Sequence, residues 1–304
     1  MGTKNQVVAR KLLEFTAILG SRHLITVSAG PSLDPVLLSL EQTPDYRVTT
    51  ANASFPKRQA VKPNSFRLHY QAGEEWVHLD LPATAENYHA VQPLPRQRWL
   101  LVRGRASGED DRNSQVYEAD GTPAHSFHAG DGIADVQATE RGSVWVSYFD
   151  EGVFGRTALG QSGLACLGRD GPPTFRLNDL PDPVLTSMAD CYALNVCSDR
   201  EVWLYFYTDF PLVRLLDRKV AAHWMMPVAG SHALTVDRGR VLLAGNYKRK
   251  ESLFLGRLDE LDFAEVTPVD EEGQPLRQFR AFGRRDHLYL ATREALHVVD
   301  LRTV

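Results

Sequence analysis

The chain has 304 residues, 43% hydrophobic and 24% charged, with 34 basic against 38 acidic side chains. That is an ordinary globular composition, long enough to bury a large core as one or two domains. A net charge of −4 offers no basic field to a polyanion, so nucleic acid is set aside as a partner.

No apolar run reaches the roughly 18 residues a membrane-spanning helix needs, and no membrane association is expected. The apolar stretch 12–19 is interrupted by Glu14 and followed by Ser21, Arg22 and His23 rather than by a small-residue cleavage site, unlike a signal peptide. Cys191 and Cys197 fall in one expected strand, roughly 20 Å apart at about 3.3 Å per residue, beyond disulfide reach. With Cys166 they form an odd, sparse set, which points to reduced thiols and the cytoplasm.

In chain order, short alternating runs of β-branched and aromatic residues recur, each introduced by a charged or glycine turn. They occupy residues 21–27, 97–102, 141–148, 199–206, 238–243 and 285–290. Trp99, Trp145 and Trp203 hold the same place in the unit, and Leu242 and Tyr289 continue the series at intervals of 46, 58, 39 and 47 residues. About ten residues before each marker lies another short strand, at 15–18, 89–91, 135–137, 193–196, 232–235 and 280–282. A third strand follows the marker at 115–121, 164–171, 213–217, 253–258 and 296–300, twice ending in Asp-Gly, a hairpin turn in which glycine accepts positive φ. A fourth is visible at 124–127 and 174–177. A repeat of roughly 40 to 50 residues suits a four-stranded blade.

The pattern resembles the β-propeller superfamily in its degenerate form, with NHL- and YVTN-like repeats. The WD dipeptide and the double glycine of kelch repeats are absent. The resemblance implies an all-β fold: a single propeller over residues 1–304, with six four-stranded blades around a central channel. A β-sandwich or two smaller β domains is the alternative. The last unit lacks a fourth strand, and residues 5–9 are the expected closing strand. The polar stretch 41–73, punctuated by Pro44, Pro56 and Pro63, reads as an insertion in the first blade.

In a propeller the starts of first strands and the ends of second strands share one face. The repeat puts His89, Asp135, Asp190, Tyr192, His232 and Arg280 on an inner funnel there. Such a set could hold a divalent metal, an anion or a polar substrate, although a wet channel mouth is lined by polar residues in any case. No cofactor motif is evident: Gly-x-Ser-x-Gly, the P-loop, Gly-x-Gly-x-x-Gly and Cys-x-x-Cys are all missing.

An outer rim follows the marker strands, with Asp150 and Glu151 between aromatics and glycines, then Tyr207, Asp209, Asn246 and Tyr247. Aromatic surface with carboxylates at its lip suits a carbohydrate, an amine or an aromatic metabolite. Paired carboxylates could do acid–base work if burial raised one pKa; the alternative is inter-blade packing by Phe149 and Phe154 with solvated acids. His125 and His128, three apart in a strand, point to opposite faces. Arg284 and Arg285 read as a solvated turn. The function expected is a binding or interaction module for a small polar ligand or a protein partner. The alternative is an enzyme of hydrolase, lyase or lactonase type acting in the funnel, with His89, Asp150, Glu151, Asp190 and His232 as acid, base or metal ligand.

Overall fold

The computed structural model describes residues 5–50 and 54–304. Strands dominate, and the two α-helices are single short turns, Phe15–Leu19 and Asp150–Val153. No helix is long and apolar enough to cross a membrane. Six antiparallel meanders make the fold a six-bladed β-propeller. Contacts gather blades 1–3 into one compact unit, Ile18–Asp179, and blades 4–6 into a second, Leu180–Val304 with the N-terminal strands.

In the first unit, blade 1 is His23–Ala29, Pro35–Leu40, Phe66–Ala72 and Glu75–Asp80. Blade 2 is Ala90–Leu94, Arg98–Val102, Ser114–Tyr117 and Pro123–Phe127. Blade 3 is Ile133–Ala138, Val144–Tyr148, Leu164–Leu167 and Pro173–Arg176. Second strands are nearly continuous buried apolar runs because both of their faces are covered by neighbouring blades. Side chains join one blade to the next: Ser28 Oγ donates to the Val91 carbonyl at 2.6 Å, and the Ala138 N–H donates to the buried Gln92 Oε1 at 3.0 Å.

In the second unit, blade 4 is Asp190–Val196, Glu201–Tyr207, Pro211–Leu216 and Lys219–Met225. Blade 5 is Ala233–Asp237, Arg240–Ala244, Leu253–Arg257 and Phe263–Val269. Blade 6 is Arg280–Arg284, His287–Ala291 and Ala295–Asp300, completed by Arg10–Glu14 from the N-terminus. The Asn195 carboxamide ties the first strands of blades 4 and 5 to the turn that follows the first strand of blade 6. Its Nδ2 donates to the Leu234 and Arg285 carbonyls at 3.2 and 2.7 Å, and its Oδ1 accepts from the Arg285 N–H at 2.7 Å.

The markers Trp99, Trp145, Trp203, Leu242 and Tyr289 all lie on second strands and are at most 5% exposed. Blade 1 departs from the expected frame. The run at 21–27 contributes the first strand of the blade, not its second, and residues 15–19 are helical. Phe15 and Leu19 are both buried, and a spacing of four puts them on one helix face. The closing strand is also shifted. Gln6–Val8 runs parallel to the last strand of blade 5, and Arg10–Glu14, not residues 5–9, forms the antiparallel ladder with Ala295–Asp300. Ala9 makes the crossing, buried, with its N–H on the Val269 carbonyl at 2.7 Å.

The insertion at 41–73 holds the hairpin Arg47–Thr49/Ser54–Pro56 and the strand Gln59–Asn64, paired with Thr84–Glu86. Its last part, Phe66–Ala72, is the third strand of blade 1, because Phe66 and Leu68 alternate into the core. Residues 51–53 of this stretch lie outside the described residues.

Candidate functional site

Each funnel residue stands at or beside the start of a first strand, with four of the six in blades 4–6. Asp190 opens blade 4 opposite Tyr207, and a register shift between Cys191 and Ala193 carries Tyr192. His232 immediately precedes the first strand of blade 5, its N–H bonded to the Ala244 carbonyl at 3.0 Å. Arg280 opens blade 6 opposite Ala291.

Around Tyr192 the chain builds an aromatic cluster. The Tyr192 ring lies 6.4 Å from Tyr207, 6.3 Å from Tyr247 and 5.4 Å from Phe210. Phe210, at 8% exposure, is the floor, and its ring also lies 5.6 Å from both Tyr207 and Tyr247. A tight turn aims it inward, with Asp209 and Phe210 both at positive φ. Tyr247 rests on Gly230, where a Cβ would come within 2.9 Å of its ring; only glycine lets the ring lie on the backbone there. The Tyr192 and Tyr247 hydroxyls meet at 3.0 Å. Burial and this contact push the Tyr192 phenol up, so it stays neutral and can donate a hydrogen bond. Tyr207 and Tyr247 remain 42% and 57% exposed.

The polar groups of this unit divide by role. The Asn246 carboxamide is used in its own turn, where Oδ1 accepts from the Lys248 and Arg249 N–H groups at 2.9 and 2.7 Å. Asp209 is exposed beside Tyr207. Surrounding protein, then the positive charges of Lys250 and Arg280, hold the His232 imidazole below its ordinary pKa, although the residue as a whole is exposed.

The first unit holds the remaining candidates. His89 Nδ1 accepts from the Gly104 N–H at 3.3 Å, and its ring lies 5.0 Å edge-on to Tyr46. Asp135, on the first strand of blade 3, accepts from the Val136 N–H and from Gln137 Nε2 at 2.8 and 2.9 Å. Asp150 and Glu151 are engaged separately. Asp150 accepts from the Glu151 N–H at 2.7 Å, whereas Glu151 pairs with Arg105. Arg105 also holds Asp131 at 2.9 Å and lies 5.9 Å from the Phe149 ring.

Sequence reasoning missed Phe210, Lys250, Arg105 and the buried Arg103, which pairs with Glu86 and Asp111 at 2.7 and 2.6 Å. Exposed aromatics next to the end of a second strand were the legible signal; the floor residue and the partners of each charge were not. Among the described residues the one three-member group of metal-type ligands is Asp286, His287 and Asp300, outside the predicted set. Arg302 already pairs with Asp286 at 3.2 Å and Asp300 at 2.7 Å, which opposes a cation there.

A model of the YxzG family matches residues 177–298, short of half the chain. No curated protein matches. Among solved structures, virginiamycin B lyase from Staphylococcus aureus aligns at 10% identity with a TM-score of 0.52, covering 94% of this chain and 97% of that one. A streptogramin B lyase aligns at 10% identity and 0.51, covering 97% of each chain. The PQQ-bound aldose sugar dehydrogenase from Streptomyces coelicolor aligns at 12% identity and 0.51, covering 98% of this chain and 99% of that one. At these identities the likeness is one of fold.

Proposed function

We propose that the chain is a binding module whose working surface is the aromatic face on blades 4 and 5. Its ligand is a small polar molecule with a flat apolar side, of the carbohydrate type. The observation that carries this reading is the exposure of Tyr207 and Tyr247 around a shared buried floor, Phe210. A phenol offers both surfaces such a ligand has: a ring face for its C–H side and a hydroxyl for its polar edge. Asp190, Asp209 and the Tyr192 hydroxyl supply acceptors and a donor beside the rings.

Saturation-transfer NMR against a panel of neutral mono- and disaccharides tests it. At least one sugar is expected to receive saturation from the wild-type protein. Tyr207→Ala and Tyr247→Ala should each weaken it about tenfold, the worth of one aromatic contact plus its area. No saturated sugar, or equal saturation by the double variant, refutes the reading.

A second reading, an enzyme on the same face, is favoured by His232. An imidazole held below its ordinary pKa is neutral at pH 7 and can take a proton, while Lys250 and Arg280 can stabilise the anion that forms. The propeller fold is compatible with this, since the structurally similar proteins named above are lyases and a dehydrogenase. Turnover of a lactone, ester or glycoside panel should then fall about 10²–10⁴-fold in His232→Gln. The wild-type rate should drop as pH falls through a value below the usual imidazole range. Turnover unchanged by the substitution removes His232 as the base.

A further inference from the structure

We propose that the cleft between the outer strands of blades 2 and 3 is a separate binding site, for a small organic carboxylate. The pocket measures about 320 Å³, and its lining includes Phe127, His128, Arg112, Leu159, Glu109 and Arg176. It lies wholly within the unit Ile18–Asp179, so it does not depend on the aromatic face of blades 4 and 5.

Charge accounting gives the sign of the ligand. Both acids of the pocket have partners: Glu109 accepts from the Ala158 N–H at 2.5 Å, and Asp170 stands 3.7 Å from Arg169 and 4.0 Å from His125. Both cations lack them. Among the described residues neither the Arg112 nor the Arg176 guanidinium makes a hydrogen bond or an ion pair. Arg176 Nε is moreover buried without an acceptor. His128 Nε2 is the other buried polar atom here without a hydrogen bond, lying 3.4 Å from Glu109 but poorly aimed at it, while Nδ1 is engaged with the Asp111 carbonyl at 2.9 Å. Two unpaired guanidinium groups facing one pocket leave it with uncompensated positive charge, which an anionic ligand oxygen would neutralise.

The shape of the donor and of the floor gives the class. The outer edge of the Arg176 guanidinium, its two Nη groups unpaired and not buried, presents two parallel N–H groups, the fork that a carboxylate fits bidentately. Phe127 and Leu159, 3% and 5% exposed, with Pro172 and Pro173 make the floor apolar, so the acid has a hydrocarbon body. A phosphate dianion would set two charges against Glu109 and Asp170 and leave that floor unused.

Isothermal titration with benzoate, benzyl alcohol and inorganic phosphate tests the assignment. Benzoate is expected to bind the wild-type protein, and neither neutral benzyl alcohol nor phosphate to match it. Arg176→Met should weaken benzoate at least about tenfold, the worth of a charged hydrogen-bond pair. Arg176→Lys keeps the charge without the fork and should also bind benzoate less well, at an unchanged thermal midpoint. That rules out misfolding as the cause. The proposal is overturned by benzoate binding that survives Arg176→Met together with Arg112→Ala. Equal binding of benzyl alcohol, binding of phosphate in preference to benzoate, or no benzoate binding would also overturn it.

Discussion

Gly283→Ala is expected to destabilise the protein by about 3 kcal/mol, the upper range for overpacking a buried site, as a drop in the urea midpoint at constant slope. Gly283 sits on the first strand of blade 6, and a Cβ there would overlap the Leu234 carbonyl oxygen and lie 2.8 Å from its carbon. Both neighbours are backbone, so no side chain can rotate away. Relief requires the first strands of blades 5 and 6 to separate. Asn195 and Thr235 resist that separation: Asn195 bridges the Leu234 and Arg285 carbonyls, and Thr235 Oγ1 donates to the Arg285 carbonyl at 2.6 Å. Opening the strands would strip these buried acceptors, each loss adding to the packing cost. Gly108→Ala is the control. A Cβ at Gly108 meets open space, so the change should be neutral or slightly stabilising through the unfolded chain. An unchanged midpoint in Gly283→Ala would show that the strands are not in contact at this point.

The same contrast between local and distant chemistry explains what could be read from the sequence. Trp99, Trp145 and Trp203 were visible because a second strand buried on both faces writes its pattern in consecutive residues. Blade 1 misled for the same reason. The run at 21–27 has that pattern too, although His23–Ala29 is mostly only partly buried, and composition does not tell a first strand from a second. The closing strand depends on pairing Arg10–Glu14 with residues nearly the whole chain away, and neither it nor Gln6–Val8 carries a periodicity long enough to choose between them. Tyr207 and Tyr247 could be found as aromatics just past strand ends. Glu151 looked free because its partner, Arg105, is 46 residues distant. Asn246 looked like a rim ligand because an amide that closes its own turn has the same sequence signature as one that faces a ligand.

Arg103→Met is the second change with a large expected effect, about 3–5 kcal/mol at neutral pH. Arg103 has 4% of its side chain exposed, and it holds Glu86 at 2.7 Å and Asp111 at 2.6 Å. Methionine fills much of the volume and leaves two carboxylates in a poorly solvated site without their cation. The pH dependence identifies the cause. Burial alone would raise the Asp111 carboxyl, but hydrogen bonds from Arg103 and from Ser107 outweigh it and hold the carboxyl below the usual range. A carboxyl whose folded pKa is depressed contributes stability above its unfolded value of about 3.9, and loses it as pH falls through the folded value. Removing Arg103 takes away one of those hydrogen bonds and the adjacent positive charge, moving that pKa upward, so the variant loses less stability to acid than the wild type does. The stability difference between wild type and variant should therefore hold from pH 7 to about 4 and shrink as pH is lowered below about 4. Adding Asp111→Asn to Arg103→Met should recover part of the loss at pH 7 by removing one stranded charge. A difference that stayed constant below pH 4 as well would mean that Arg103 stabilises the blade through its packed alkyl chain, not through its charge.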